Sequence, residues 1–191
     1  RTPQPPSSVT VSFAIYMKMD YIKSNIYSRE IVMSDKRGLR NALGKFATGV
    51  AVATTVAEDG KPVGLTINSF TSVSLEPALV LWSLTRNSPS IRHFIGHGWF
   101  GINILSAGQS EISRVFASPT PDRFSQVDWR YGVHGVPLID GTLARFECEV
   151  ERVADGGDHL VFFGHVHAHN EEEREPLLFF SGQYGTANIA S

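Results

Sequence analysis

Several things are scarce in this sequence. Cys148 is the single cysteine in 191 residues, so no intrachain disulfide can form and a reducing compartment is expected. No apolar run approaches the roughly 18 residues needed to cross a bilayer; the best stretch is Pro77 to Leu84. An excess of one charge is missing too. Lys and Arg total 17 against 19 Asp and Glu, a net charge of −2, which gives no electrostatic footprint for nucleic acid or an anionic membrane. The expectation is a cytoplasmic protein with neither as a partner. The sequence also has no Walker loop, no G-x-S-x-G elbow and no H-E-x-x-H pair, so the phosphate-cradle, serine-hydrolase and zincin chemistries lack their usual carriers.

Hydrophobic residues make up 42% of the chain, near the globular norm, and the length suits one domain. Residues 1–32 differ from the rest. Three prolines fall in Arg1 to Ser8, and Val9 to Met17 is a weak apolar stretch with no basic region before it and no cleavage site after it, unlike a signal peptide. With Arg at position 1 and Met33 as a natural start, residues 1–32 read as an N-terminal extension, upstream or extraneous to the domain at 33–191.

From Asp35 onward the periodicities are regular. Leu39, Leu43 and Phe46 predict a short amphipathic helix over 35–47. Strand-like runs follow at 49–56, 63–75 and 78–85, the first two joined by a turn at Glu58-Asp59-Gly60-Lys61. Ser88-Pro89 opens a helix with Ser88 as its N-cap. Residues 99–105 form a strand, and Ser106 with Gln109 has capping-box spacing ahead of a helix that buries Ile112, Val115 and Phe116. Over 142–152, Ala144, Phe146, Cys148 and Val150 alternate with Arg145, Glu147, Glu149 and Glu151, predicting one buried and one wet face. Runs at 159–169 and 177–180 complete the set. Six or seven strands and about three short helices, with the first three strands arriving without intervening helices, predict a mainly β, mostly antiparallel barrel.

Gly96-His97-Gly98-Trp99-Phe100-Gly101 matches G-x-G-x-x-G, but with the helix before it and the strand after it. The dinucleotide fingerprint needs the reverse order, so this is a helix stop. The stretch from Thr66 to Ser74 carries six uncharged hydrogen-bonding side chains in nine residues, between core-like flanks. Such an edge suits a flat, heteroatom-rimmed ring; a solvated bend bonding its own backbone accounts for the same composition. Arg86-Asn87-Ser88-Pro89-Ser90 offers a guanidinium and hydroxyls that suit a phosphate, or simply an N-cap with a surface Arg. Together the two segments supply what a flavin mononucleotide moiety requires. His165, His167 and His169 alternate and, on a regular strand, face one way. They allow a zinc-binding reading, against the plainer one of exposed strand histidines. Gly157-Asp158-His159 looks like a turn.

Read in series, Leu39 to Val50, Gly64 to Leu75, Phe100 to Leu105, Gly135 to Ile139, Gly157-Asp158-His159 and Pro176 to Tyr184 resemble the short-chain flavin reductase family over about 38 to 186. These are NADH-dependent partners of two-component flavin monooxygenases. The resemblance implies an antiparallel split β-barrel of the FMN-binding type, a homodimer, and hydride transfer from NADH or NADPH to FMN or FAD. It also implies delivery of reduced flavin to a flavin-dependent monooxygenase component. It places Thr66, Ile67, Asn68, Ser69, Phe70, Ser72 and Val73 along the isoalloxazine and adjoining phosphate, and Asn87 and Ser88 at the phosphate or adenosine end. His159, Ser181, Gly182 and Tyr184 fall on the nicotinamide side. The family pattern often has Ala where Ser69 stands, and it covers neither the His165–His169 run nor residues 1–32. No acid/base residue is implied, because the cofactors carry the hydride chemistry, and no metal. A non-catalytic flavin-binding electron carrier or sensor on the same barrel is the competing reading, with a zinc-binding domain behind it.

Overall fold

The computed structural model describes residues 35–187; the sequence readings on residues 1–32 lie outside them. The described residues up to Arg40 belong to one unit, and those from Asn41 onward form a second, compact one. Helix α1 (Lys36–Leu43) is shorter than the predicted 35–47. Its Leu43, and Phe46 just after it, are 66% and 77% exposed, so the apolar spacing is real but nothing among the described residues covers it.

The strands are β1 (Thr48–Gly49), β2 (Ala51–Val56), β3 (Pro62–Ile67), β4 (Thr71–Leu75), β5 (Ala78–Thr85) and, after helix α2 (Ile91–His97), β6 (Trp99–Ile104). Helix α3 (Ser110–Ala117) leads to the short hairpin of β7 (Trp129–Tyr131) and β8 (Pro137–Ile139). The long strands β9 (Ala144–Gly156) and β10 (His159–Glu171) follow, and then β11 (Leu177–Phe180) and β12 (Gln183–Thr186). The sequence pattern missed β7, β8 and β12, which are three or four residues long and too short to show a period. The expected strand over 63–75 is two strands, interrupted at 68–70.

That interruption makes the barrel. The main sheet has seven antiparallel strands in the order β3-β2-β6-β9-β10-β5-β4. Its two edge strands are consecutive in sequence. A flat sheet would hold those edges about 29 Å apart at roughly 4.8 Å per strand, whereas the link from Ile67 to Thr71 reaches about 14 Å at most. The sheet therefore curls until β3 and β4 approach at one corner without pairing, which is an antiparallel split barrel. Ser69 holds the corner, its Oγ accepting from Ser83 N at 3.0 Å and donating to Ser83 O at 3.2 Å.

Alternation along 50–53 feeds two cores. Ala51 and Ala53 face a cluster with Trp82, Phe94, Phe100, Cys148 and Phe162, while Val50 and Val52 face Leu105, Phe116, Phe124, Ile139 and Leu177. In the first, Trp82 stacks on Phe162 at 4.8 Å and meets the edge of Phe94 at 4.8 Å. Ser106 N donates to Gln109 Oε1 at 3.0 Å, so the capping box forms as the spacing indicated.

The outer face of β9 is drier than its sequence predicts. Arg145 and Glu147 are buried, because the segment containing β7 and β8 folds over them. Glu147 accepts from Val133 N at 3.1 Å and His134 N at 2.7 Å, and Arg145 donates to Asp140, Asn170 and Glu172. An alternating pattern reports the period, not which faces acquire a cover.

Candidate functional site

The polar stretch is built by the strand break. Thr66 and Ile67 end β3, Ile67 pointing into the barrel core, and Thr66 Oγ1 donates to the Ser113 carbonyl of α3 at 2.7 Å. Phe70 is half-buried and stacks on Phe146 at 5.6 Å. Val73 is the extra residue of a bulge between Ser72 and Ser74 and is exposed. Among the described residues, the Asn68 amide and the Ser72 hydroxyl have no hydrogen-bond partner, and both are exposed. Thr66 and Ser69 thus build the corner, while Asn68 and Ser72 are available to a ligand. All four are neutral, a donor set that fits a heteroatom-edged ring rather than an ion.

The β5–α2 corner departs from the sequence reading in two ways. The helix begins at Ile91 with Ser90 as its N-cap, and Ser88 instead accepts from Ser90 N at 3.3 Å. Arg86 is not a free guanidinium. Its Nε donates to Gly157 O at 2.8 Å and it pairs with Asp155, so it fastens the β9–β10 hairpin to β5. Gly157 has φ +76° at the first position of that two-residue turn, a conformation glycine adopts without penalty. His159 follows, its Nδ1 2.7 Å from an Asp158 oxygen and its backbone opposite Thr85. His159 is therefore set opposite Thr85, two residues before the exposed Asn87 and three before the half-buried Ser88, a closeness that sequence separation hides.

Ser181, Gly182 and Tyr184 lie elsewhere, on the β11–β12 hairpin. Ser181 N donates to Gly44 O at 2.9 Å. The Tyr184 hydroxyl is 2.7 Å from Ser113 Oγ, and Arg114 lies over its ring at 5.3 Å. The four residues assigned to the nicotinamide side thus fall on two separate hairpins. Sequence reading missed Ser113 altogether; a serine in a short helix carries no signal until the elements it joins are in place.

The histidine run is broken by a bulge between Val166 and Ala168. His165 and His167 stay together, rings 4.7 Å apart, with His167 Nε2 3.1 Å from Glu149, whereas His169 pairs opposite Phe146. The three do not face one way, and among the described residues no group of three or more His, Cys, Asp or Glu is arranged to hold a metal ion.

Residues 43–188 match the model of the flavin reductase like domain. The chain belongs to that family. A probable flavin reductase of Rhizobium meliloti is 43% identical over 156 residues, 82% of this chain and 50% of that protein. The NADH-dependent FMN reductase SmoA of Agrobacterium fabrum is 43% identical over 151 residues, covering 79% of this chain and 86% of the relative. Among solved structures, a nitrilotriacetate monooxygenase component B homologue from Mycobacterium thermoresistibile superimposes with a TM-score of 0.79 at 45% identity, over 82% of this chain and 88% of that one. The chain spans about half the length of the R. meliloti relative and 48% of a trigonelline monooxygenase reductase component from Acinetobacter baylyi. In this flavin reductase domain, then, the strand break at 68–70 and the two hairpins carry most of the residues that the family resemblance points to. No described helix is long and apolar enough to cross a membrane.

Proposed function

We propose that the protein is an NAD(P)H:flavin oxidoreductase that reduces FMN or FAD and supplies reduced flavin to a partner monooxygenase, in the cytoplasm. The observation that carries this reading is the split-barrel corner, where Asn68 and Ser72 are left unbonded beside a locked Ser69, in a chain of the flavin reductase family. Reductase components of flavin-dependent monooxygenases from Rhodococcus jostii and Acinetobacter baylyi, 44% and 43% identical, support the partner class. A structure of a Streptomyces globisporus NADH:FAD oxidoreductase with NAD and FAD fragments supports the cofactor pair.

The bound flavin would supply the hydride acceptor, and the nicotinamide the donor. The chain's own residues position and stabilise. Asn68, Ser72 and nearby backbone N–H groups offer neutral hydrogen bonds to the rim of a ring, where charge develops on reduction. Thr66, Ser69 and Phe70 keep that rim rigid through Ser113, Ser83 and Phe146. Asn87 and Ser88 take the phosphate end, and His159 orients the nicotinamide rather than moving a proton.

A homodimer completes the reading. Leu43, Phe46 and Phe180 are exposed, and Leu75 is 95% exposed. Apolar side chains left uncovered in this way suit an interface with a second copy. The separation of His159 from Tyr184 on two hairpins has the same motive, since one copy can bring its hairpin to the other's cleft.

The test is anaerobic NADH and NADPH consumption with riboflavin, FMN and FAD in turn, alongside flavin binding. Flavin-dependent consumption of reduced nicotinamide is expected. A chain that binds flavin but never oxidises NADH or NADPH is an electron carrier or sensor instead.

A further inference from the structure

Five asparagines fall among the described residues, at 41, 68, 87, 103 and 170. In four of them either the side-chain amide or the main-chain N–H that follows it is already committed. Asn41 and Ala42 lie inside helix α1, whose ladder takes the Ala42 N–H. Asn103 is buried, its Nδ2 donating to Val52 O at 3.1 Å and its Oδ1 accepting from Ile139 N at 2.8 Å. Asn170 Oδ1 accepts from Arg145 at 3.0 Å. Asn87 is exposed, but the Ser88 N–H after it donates to Thr85 O at 3.0 Å.

Asn68 is the exception. It sits in the strand break, outside both β3 and β4, and is exposed. Among the described residues its amide has no hydrogen-bond partner, and neither has the main-chain N–H of Ser69. The Ser69 hydroxyl is meanwhile fastened to Ser83 in both directions. The main chain at 69 is thus held in place by its side chain, with its own N–H unspent beside a free primary amide.

We infer that Asn68 is a spontaneous deamidation site built into the strand break. The Ser69 nitrogen attacks Asn68 Cγ, so that a new N–Cγ bond forms, the Cγ–Nδ2 bond breaks, and Nδ2 leaves as ammonia with the proton from Ser69. Water then opens the cyclic imide at Cγ, giving aspartate, or at the main-chain carbonyl, giving isoaspartate. No oxidant or reductant is involved. Either product puts a carboxylate where the reductase reading has a neutral donor, and its charge opposes the negative charge that reduction places on the ring. Isoaspartate also lengthens the link between β3 and β4. The site itself stands on the geometry; only its effect on flavin rests on the reductase reading.

The full chain is aged at pH 8 in the dark, with and without saturating FMN, and every asparagine is followed by peptide mass spectrometry and isoaspartyl methyltransferase labelling. Asn68 should convert about fivefold or more faster than Asn87, the factor for one hydrogen bond that need not open first. Asn68→Gln would need a six-membered ring and should accumulate no acidic product at that position. Asn68→Asp, which matches one product, should bind FMN about tenfold more weakly. The proposal is overturned if Asn68 converts no faster than Asn87, or stays intact in the native chain while converting in guanidinium. Slower conversion under FMN supports both the site and the flavin corner. Conversion at the same rate with FMN bound keeps the site and moves the flavin away from Asn68. A chain that deamidates at Asn68 but binds no flavin keeps the site and loses the reductase reading.

Discussion

The Tyr184 hydroxyl lies 2.7 Å from Ser113 Oγ, and Ser113, fully buried in α3, takes the Thr66 hydroxyl on its carbonyl at the same distance. One helix residue thus ties the end of β3 to the C-terminal hairpin. Ser113→Ala removes the Tyr184 bond but leaves the Thr66 bond, which uses backbone. We expect a stability loss of about 1 kcal/mol and a several-fold rise in KM for NADH with flavin affinity nearly unchanged. Tyr184→Phe should do the same; equal losses of flavin and NADH binding in both variants would show Ser113 to be merely structural.

His159 stands at the mouth of the β9–β10 turn, opposite Thr85. Replacing it with Ala should raise KM for NADH by roughly tenfold while flavin binding changes by less than about twofold, the pattern of lost nicotinamide positioning. Collapse of flavin affinity with KM for NADH intact contradicts the assignment.

Gly164 on β10 is a packing requirement. A Cβ there would land on the Phe100 ring and lie 3.0 Å from Cβ of Cys148. Gly164→Ala should destabilise the domain by about 1–3 kcal/mol, read as a shift in the urea midpoint. An unchanged midpoint would mean that Phe100 moves aside freely.

Burial pushes the Cys148 thiol up from 9.0 to about 12, with the Glu147 charge adding to the effect. The folded chain therefore holds this proton more tightly than the unfolded chain. Its contribution to stability is complete below about pH 9 and is lost as pH rises towards 12. A disulfide reagent at pH 8 should find no reactive thiol in the native protein and one per chain in guanidinium. Rapid native reaction would refute the burial.

Length, composition and period, read residue by residue, were enough for the strands that matter most. Residues 78–85 and 177–180 are strands at the predicted bounds, and the motif series from Leu39 to Tyr184 identified the family. Local chemistry also sufficed for the Ser106–Gln109 box and for the helix stop at Gly98. These features depend on neighbours within a few residues, which the sequence lists directly.

The sequence left open every fact that needed a distant cover or a distant partner. Arg145 and Glu147 look wet until the β7–β8 segment lies over them, and Arg86 looks free until Asp155 and Gly157 arrive from across the sheet. Curling the sheet brings residue 69 to residue 83, residue 86 to residue 157, and residue 113 to residue 184. Local sequence fixes which backbone conformation each segment prefers; only the closed packing decides which polar groups are already bonded and which are left for a ligand.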